Sequence, residues 1–223
     1  MEGLRAILFD FGGTLDGPGE PWIDRFTWAY RQTGLAIDDG ELCAAVGYGT
    51  RQAYRTPAVA KFSLAETVGF HVACQFAHLK IEDPATSNAI ATAFLDRTES
   101  AMTENRPVLA RLAARFRLGV VSNFYGNVEG ILAGAGFRPL LGAVIDSTVV
   151  GVSKPDPRIF ALAIERLDVP AAATLYVGDS LDQDIGPARA AGLRTAWVTK
   201  RTDAPAPPPD LRIATLSDLE RLI

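Results

Sequence analysis

The 223-residue chain carries 26 acidic and 22 basic residues, a net charge of −4, which argues against a nucleic-acid partner, since such proteins usually show a basic face. Hydrophobic residues at 48% and charged residues at 22% predict a packed core and exclude global disorder. The length suits one large domain, or one domain carrying an insertion. No apolar run approaches the roughly 18 residues needed to span a bilayer. The opening MEGLRAILFD lacks the basic stretch and small-residue cleavage site of a signal peptide. No membrane partner and a cytoplasmic location are therefore expected. Cys43 and Cys74 fit no disulfide framework or zinc spacing and are expected as free, partly buried thiols.

In chain order, Arg5 to Asp10 holds the continuous apolar run Ala6-Ile7-Leu8-Phe9, the pattern of a strand buried on both faces. Gly12 and Gly13 end it. From Pro21 to about Met102 the sequence predicts helices. Trp22, Phe26, Ala29, Tyr30 and Thr33 recur at helical spacing. A second helix starts at Leu42, Ala45 and Val46 and is expected to stop at Gly47 and Gly49. Leu64 to Leu79 and Pro84 to Met102 are longer helices, the last with proline in its favoured first turn. After Pro107 the texture changes. Helix patterns at 108–116, 127–135, 157–166 and 181–190 alternate with strands at 118–121, 143–145, 175–177 and 195–198, which predicts a parallel sheet with helices on both faces. Residues 204–209 read as a proline-rich surface link, and Ser217 with Glu220 as the capping box of a final helix.

Ligands in such sheets bind beyond the carboxyl ends of the strands. The residues there are Asp10, Ser122, Asn123, Asp146, Gly178 and Asp179. Four elements stand out: Asp10-Phe11-Gly12-Gly13-Thr14-Leu15; Val121-Ser122-Asn123; Ser153-Lys154-Pro155-Asp156-Pro157; and Gly178-Asp179-Ser180-Leu181-Asp182-Gln183-Asp184. Each is weak alone. Together, in order and spacing, they resemble the haloacid dehalogenase superfamily, a group dominated by magnesium-dependent phosphatases. The resemblance implies an α/β, doubly wound parallel sheet with a Rossmann-like core over residues 1–16 and 105–223. It places 17–104 as an inserted α-helical cap. It further implies a Mg2+ cofactor, a small phosphorylated metabolite as substrate and an aspartyl-phosphate intermediate. A monomer or homodimer is expected.

The residues have a reading of their own beside the resemblance. Asp10, at the end of a buried strand, can act as a nucleophile if a cation holds its charge; the plainer reading is a turn cap. Gly12 and Gly13 let the backbone approach an oxyanion, or simply make a tight turn. Gly13, Thr14, Asn123 and Lys154 form the expected substrate-binding set. Magnesium takes hard oxygen ligands, typically one or two carboxylates with waters and phosphate. The expected ligands are Asp10, Asp179 and the Gly12 carbonyl, with Asp184 through water. For Asp182 and Asp184 the plainer reading is an acidic first helical turn favoured by the helix dipole. Only four of the 22 basic residues are lysines. The resemblance assigns Lys154 to balance charge on nucleophile and phosphate, which a compact ammonium does as a point charge. Ser122 and the Asn123 amide can donate to a phosphoryl oxygen; Ser122 also reads as an ordinary strand-end residue.

One position departs from the family pattern. The phosphatases usually carry an aspartate two residues after the nucleophile, as general acid and base; here Gly12 stands there. Such help is worth roughly 10²–10⁴-fold in rate. Three readings follow. The favoured one is a phosphatase that takes its proton elsewhere, with Asp16 as a candidate donor, or that uses a leaving group needing little protonation. The second is other chemistry, phosphonate or carbon–halogen cleavage. The metal-free working of the dehalogenases sits poorly with Asp179 and Asp184, and Lys61 and Lys80 are unmarked candidates for a phosphonate-cleaving imine. The third is a protein that only binds a phosphorylated ligand or a partner. In the insert, Arg25, Arg51, Arg55 and Lys61 are candidates to reach an anionic substrate. Gly47 to Gln52 reads as a hinge or a solvated loop. Trp22, Phe26 and Tyr30 read as insert core. His71 and His78 read as packing or surface residues, and Phe124 and Tyr125 as a pocket wall or cover for the sheet edge.

Overall fold

The computed structural model describes residues 2–223 except 203, 204 and 206, so part of the expected link at 204–209 lies outside the described residues. The sheet has six parallel strands in the order β3-β2-β1-β4-β5-β6. They are β1 (Ala6–Phe9), β2 (Arg117–Ser122), β3 (Ala143–Asp146), β4 (Thr174–Gly178), β5 (Arg194–Val198) and β6 (Leu211–Ile213). β1 is central and every one of its side chains is buried. Ile7 and Phe9 face one core layer with Val108, Leu109 and Leu112; Ala6 and Leu8 face the other with Ile159, Phe160 and Ala163. This two-sided burial explains why β1 is a run of apolar residues and not an alternating one. The strand order is doubly wound, and its direction of winding reverses between β1 and β4, where such sheets open a crevice for ligands.

Between β1 and β2 the chain forms four helices: α1 (Trp22–Gln32), α2 (Asp39–Arg55), α3 (Leu64–Leu79) and α4 (Pro84–Ala113). Phe26, Ala29, Leu42, Val46, Val68, Val72, Ile90 and Phe94 are among the residues of their separate core. Helix α3 starts on a capping box, with Ser63 bonded to the Glu66 amide and the Glu66 carboxylate returning to the Ser63 amide. Two expectations give way here. Helix α2 runs through Gly47 and Gly49, so this segment is neither hinge nor loop. A Cβ at Gly49 would sit 3.0 Å from His71 Nδ1 and 3.2 Å from the His71 carbonyl, and glycine is what lets α2 and α3 approach so closely. Helix α4 does not stop near Met102 but passes through Pro107 to Ala113. A proline inside a helix removes one hydrogen bond and costs about 3 kcal/mol. Burial of Phe94 and Met102 before it, and of Val108, Leu109 and Leu112 after it, holds the helix together.

After β2 come α5 (Val128–Gly134), the single turn α6 (Ser147–Val150), α7 (Arg158–Leu167), α8 (Gly186–Ala190) and α9 (Leu216–Leu222). The edge strand β6 has no counterpart in the sequence reading. The capping box of α9 is Thr215 with Asp218, not Ser217 with Glu220. Glu220 is instead drawn to Arg111 of α4, with Nη2 to Oε2 at 2.9 Å. Cys43 is exposed and Cys74 half-buried, both free. Among the described residues no helix is long and apolar enough to cross a membrane.

Candidate active site

Asp10 leaves the end of β1, its amide bonded to the Val177 carbonyl of β4 at 2.9 Å. The chain then winds tightly through Phe11–Leu15, with Gly13 at φ +84°. A Cβ at Gly13 would collide with the Asp179 carboxylate, so both the backbone angle and the close approach demand glycine. The Gly13 amide donates to Asp16 Oδ1 at 2.6 Å, and Thr14 Oγ1 lies 3.5 Å from Asp179 Oδ1. Thus β1 and β4 together set Asp10 and Asp179 side by side, and Asp184 joins them from the turn after β4. One oxygen from each of the three carboxylates lies within 4.8 Å of the others.

Lys154 is the cationic partner of this group. Its Nζ is 2.9 Å from Asp10 Oδ1 and 2.6 Å from Asp184 Oδ1, and only 3% of its side chain is exposed. It also donates to Tyr176 Oη at 3.2 Å. Tyr176 Oη lies 3.0 Å from both the Val121 carbonyl and Asp184 Oδ1, and the second Asp184 oxygen accepts from the Ser180 amide at 3.0 Å. Asn123 fixes the lysine's backbone: Oδ1 accepts from the Lys154 amide at 2.8 Å, and Nδ2 donates to its carbonyl at 2.9 Å. Ser122, buried at the tip of β2, lines the same cleft as Asp10.

The electrostatics follow from three acids and one ammonium in a dry place. Burial pushes the Asp10 carboxyl up to about 6; Lys154 pulls against this and Asp184 adds to it. Burial, with Asp10 and Asp184 nearby, pushes Asp179 up to about 8. Burial works against the charge of Lys154, but Asp10 and Asp184 outweigh it and hold the ammonium above the ordinary lysine range. Asp10 Oδ1 is buried with no hydrogen-bond partner, its one close polar neighbour being the ion-paired Lys154 ammonium. Hard oxygens, an orphaned carboxylate oxygen and excess negative charge together fit a divalent cation. Asp10, Asp179 and the Gly12 carbonyl are the donors that would hold it. Asp184, already bonded to Lys154, Tyr176 and an amide, suits contact through water.

Other expected residues lie elsewhere. Asp16 is fully buried and accepts from the Gly13 amide, the Trp22 indole at 2.7 Å and Arg25 Nη2 at 3.2 Å. Both its oxygens are taken up by these donors and it does not line the cleft, so it stands away from a leaving group. Arg25 is fully buried too, tied to Asp16, Glu20 and Thr98, so it binds no substrate. Arg51, Arg55 and Lys61 are exposed and do not line the cleft. Asp146 caps backbone amides of Gly126, Val128 and Thr148. Asp182 is exposed.

The cleft above Asp10 encloses about 250 Å³. Trp22 and Phe26 line it as well as packing in the insert, and Phe124 and Tyr125 wall it. His71 joins them, with Nε2 2.9 Å from Tyr125 Oη, and burial pushes its imidazole down to about 4. Sequence reasoning missed Tyr176 and Gln183. Tyr176 sits in an apolar strand, and its one signal was a hydroxyl in an otherwise aliphatic run. Gln183 lines the cleft and approaches Asn123 at 3.5 Å.

A family model described as haloacid dehalogenase-like hydrolase matches residues 4–192. The chain is 32% identical over 134 residues to the haloacid dehalogenase-like hydrolase domain-containing protein 3 of Danio rerio, covering 57% of this chain and 55% of that protein. It is 38% identical over 90 residues to a Thermus thermophilus phosphoserine phosphatase, covering 40% of this chain and 36% of the enzyme. The matched stretches thus span about half of the first relative's length and about a third of the second's. The crystal structure of the L-2-haloacid dehalogenase RSc1362 superimposes with a TM-score of 0.66 at 24% identity, over 98% of each chain, a likeness of fold.

Proposed function

The chain belongs to the haloacid dehalogenase-like hydrolases, and we propose that within this family it is a magnesium-dependent phosphatase of a small phosphorylated metabolite. The observation that carries this reading is the convergence of Asp10, Asp179 and Asp184 within 4.8 Å, with Lys154 bridging two of them. Three carboxylates so close together, two buried and one half-buried, repel each other unless a cation or protons intervene. A bound Mg2+ supplies that charge, and neutralises phosphoryl oxygens when substrate is present.

The protein's own groups then have distinct tasks. A carboxylate oxygen of Asp10 attacks phosphorus in line, forming an aspartyl-phosphate as the ester P–O bond breaks. Lys154, held by Asn123 and Tyr176, offers its ammonium to the phosphoryl group and keeps Asp10 ionised. Ser122 and the Asn123 amide donate to phosphoryl oxygens, and the Gly13–Thr14 backbone leaves room beside them. Water then attacks the aspartyl-phosphate and releases inorganic phosphate.

Gly12 favours a second reading, in which the fold does metal-free chemistry or binds without turnover, because no acid stands two residues after Asp10. One experiment separates the three. Phosphorylated metabolites are incubated with the protein and Mg2+, with and without chelator. Phosphate release that chelator abolishes supports the proposal. Halide release from a 2-haloacid without metal overturns it in favour of dehalogenation, and tight phosphate binding without turnover overturns it in favour of a binding role.

A further inference from the structure

The cleft has two ends of opposite character. At its base lie the acids and Lys154. Above them, the walls are Trp22, Phe26, His71, Phe124 and Tyr125, with Val46 beside them. The rings form one packed set: Trp22 stands edge-on to Phe124, with centroids 5.6 Å apart, and His71 is 5.5 Å from Tyr125. Among the described residues lining the cleft, Lys154 is the one cation, and Asp10 and Asp184 already engage it. His71 lies well below neutrality in its titration and adds no charge at pH 7. Arg25 is locked against Asp16 and Glu20. No second cation is left to greet another anionic group on the substrate, such as a carboxylate or another phosphate; the remaining polar lining, Thr50, Asn123, Ser180 and Gln183, is neutral.

The same walls offer no efficient proton donor. Gly12 has no side chain, and Asp16 is consumed by the Gly13 amide, the Trp22 indole and Arg25. A good general acid titrates near the working pH. His71 falls below that range, burial holds the Tyr125 hydroxyl above it, and Asp179 is committed to the cation in the phosphatase reading. A leaving oxygen must therefore depart with its electron pair largely unassisted. Size permits an aromatic ring. An apolar cavity of about 150 Å³ holds benzene, so the roughly 250 Å³ of this open cleft has room for a ring with its phosphoryl group.

Resting on the phosphatase reading, we infer that the substrate is the monophosphate ester of a phenol or of an equally acidic hydroxyl, with a single uncharged ring and no second anionic group. Aromatic faces and edges of the walls receive the ring. The Asp10 oxygen bonds to phosphorus as the P–O(aryl) bond breaks, and the electron pair leaves on the aryl oxygen. That aryloxide takes its proton from water, leaving hydroxide. A second water adds to phosphorus and gives its proton to that hydroxide, the P–O(Asp10) bond breaks with its electron pair returning to the carboxylate, and phosphate departs, so one water is consumed per ester.

The test uses the full-length protein with Mg2+ and four esters: phenyl phosphate, 4-carboxyphenyl phosphate, phosphoserine and glucose 6-phosphate. Phenyl phosphate is expected to exceed phosphoserine and the sugar phosphate in kcat/KM by roughly 10²–10⁴-fold, the scale of the missing proton transfer. It is also expected to show a lower KM than its carboxylated analogue. In Thr50→Lys, which puts an ammonium on the cleft wall, the ratio of the two aryl esters should move about tenfold toward the carboxylate. Phosphoserine or glucose 6-phosphate turned over as fast as phenyl phosphate overturns the inference and leaves the phosphatase reading standing. Failure to hydrolyse any of the four esters sinks the phosphatase reading itself. Should Thr50→Lys not fold, the wild-type ratios alone decide.

Discussion

At the floor of the cleft, three carboxylates, a lysine and a tyrosine hydroxyl, all buried but the half-buried Asp179, gather beside the ends of parallel strands. At its roof, aromatic rings from α1, α3 and the loop after β2 pack against one another. Both regions are dry, yet dryness acts on them in opposite ways. The roof gains stability from it, since burying an aromatic side chain is favourable. The floor loses, since each charge taken from water must find a partner. Asp10 and Asp179 titrate high for that reason. The floor is thus held in a costly arrangement by the rest of the fold, which the proposed cation and phosphoryl group would relieve, whereas the roof is at rest.

The contrast can be broken most sharply at Asp10. Asp10→Asn should remove turnover of an activated aryl phosphate by roughly 10⁴–10⁶-fold, the scale of losing a nucleophile. Its Tm should not fall, since a buried charge has been removed; unchanged kcat would refute the assignment. Lys154→Met should show the opposite pattern in the metal-free protein, because it strands Asp10 and Asp184 together. Breaking a buried ion pair costs about 3–5 kcal/mol, a Tm drop of roughly 6–20 °C for a chain of this size, read by calorimetry. Gly12→Asp tests whether the floor lacks only a proton donor. A Cβ there meets Trp22 Nε1 at an ordinary 3.6 Å, so a side chain can start there without a clash. Hydrolysis of alkyl phosphates should rise by roughly 10²–10⁴-fold, and no gain would mean the proton already has a source.

The smallest effect belongs to the roof. His71 titrates at about 4 in the folded protein against an ordinary 6.5. As the pH falls, the unfolded chain takes up this proton first, so the contribution to stability is present above pH 6.5 and is lost as pH falls toward 4. Between pH 7 and 5 the loss is about 2 kcal/mol. Urea melts of wild type and His71→Leu at the two pH values should differ by that amount, with the variant the flatter of the two; equal slopes would place His71 in contact with water.

How far the sequence discloses the molecule follows the same line between floor and roof. Asp10, Ser122, Asn123 and Asp179 each follow an apolar strand, so period and polarity locate them, and the parallel sheet brings their tips together. The alternation of strands and helices likewise marks the doubly wound core. Helix–helix packing leaves weaker traces. Gly49 reads as a breaker, but it is a contact point whose purpose depends on His71, twenty-two residues away. Arg25 reads as a free cation, and Asp16 as a free acid, because nothing local reveals that they bury each other. Pro107 reads as a boundary, yet two cores hold its helix straight through. Tyr176 hides in β4 because its role is defined by Lys154 and Asp184, from other stretches of chain.

Asp16 itself sits at the seam between the two regions. One of its oxygens receives the amide of Gly13, in the loop that carries the nucleophile, and the other receives the indole of Trp22, in the aromatic wall. A single carboxylate is thus a rivet through both plates of the cleft. Any shift of the upper plate is felt three residues from Asp10, so exchange of Asp16 would blur the register between the Asp10 carboxylate and the aromatic wall.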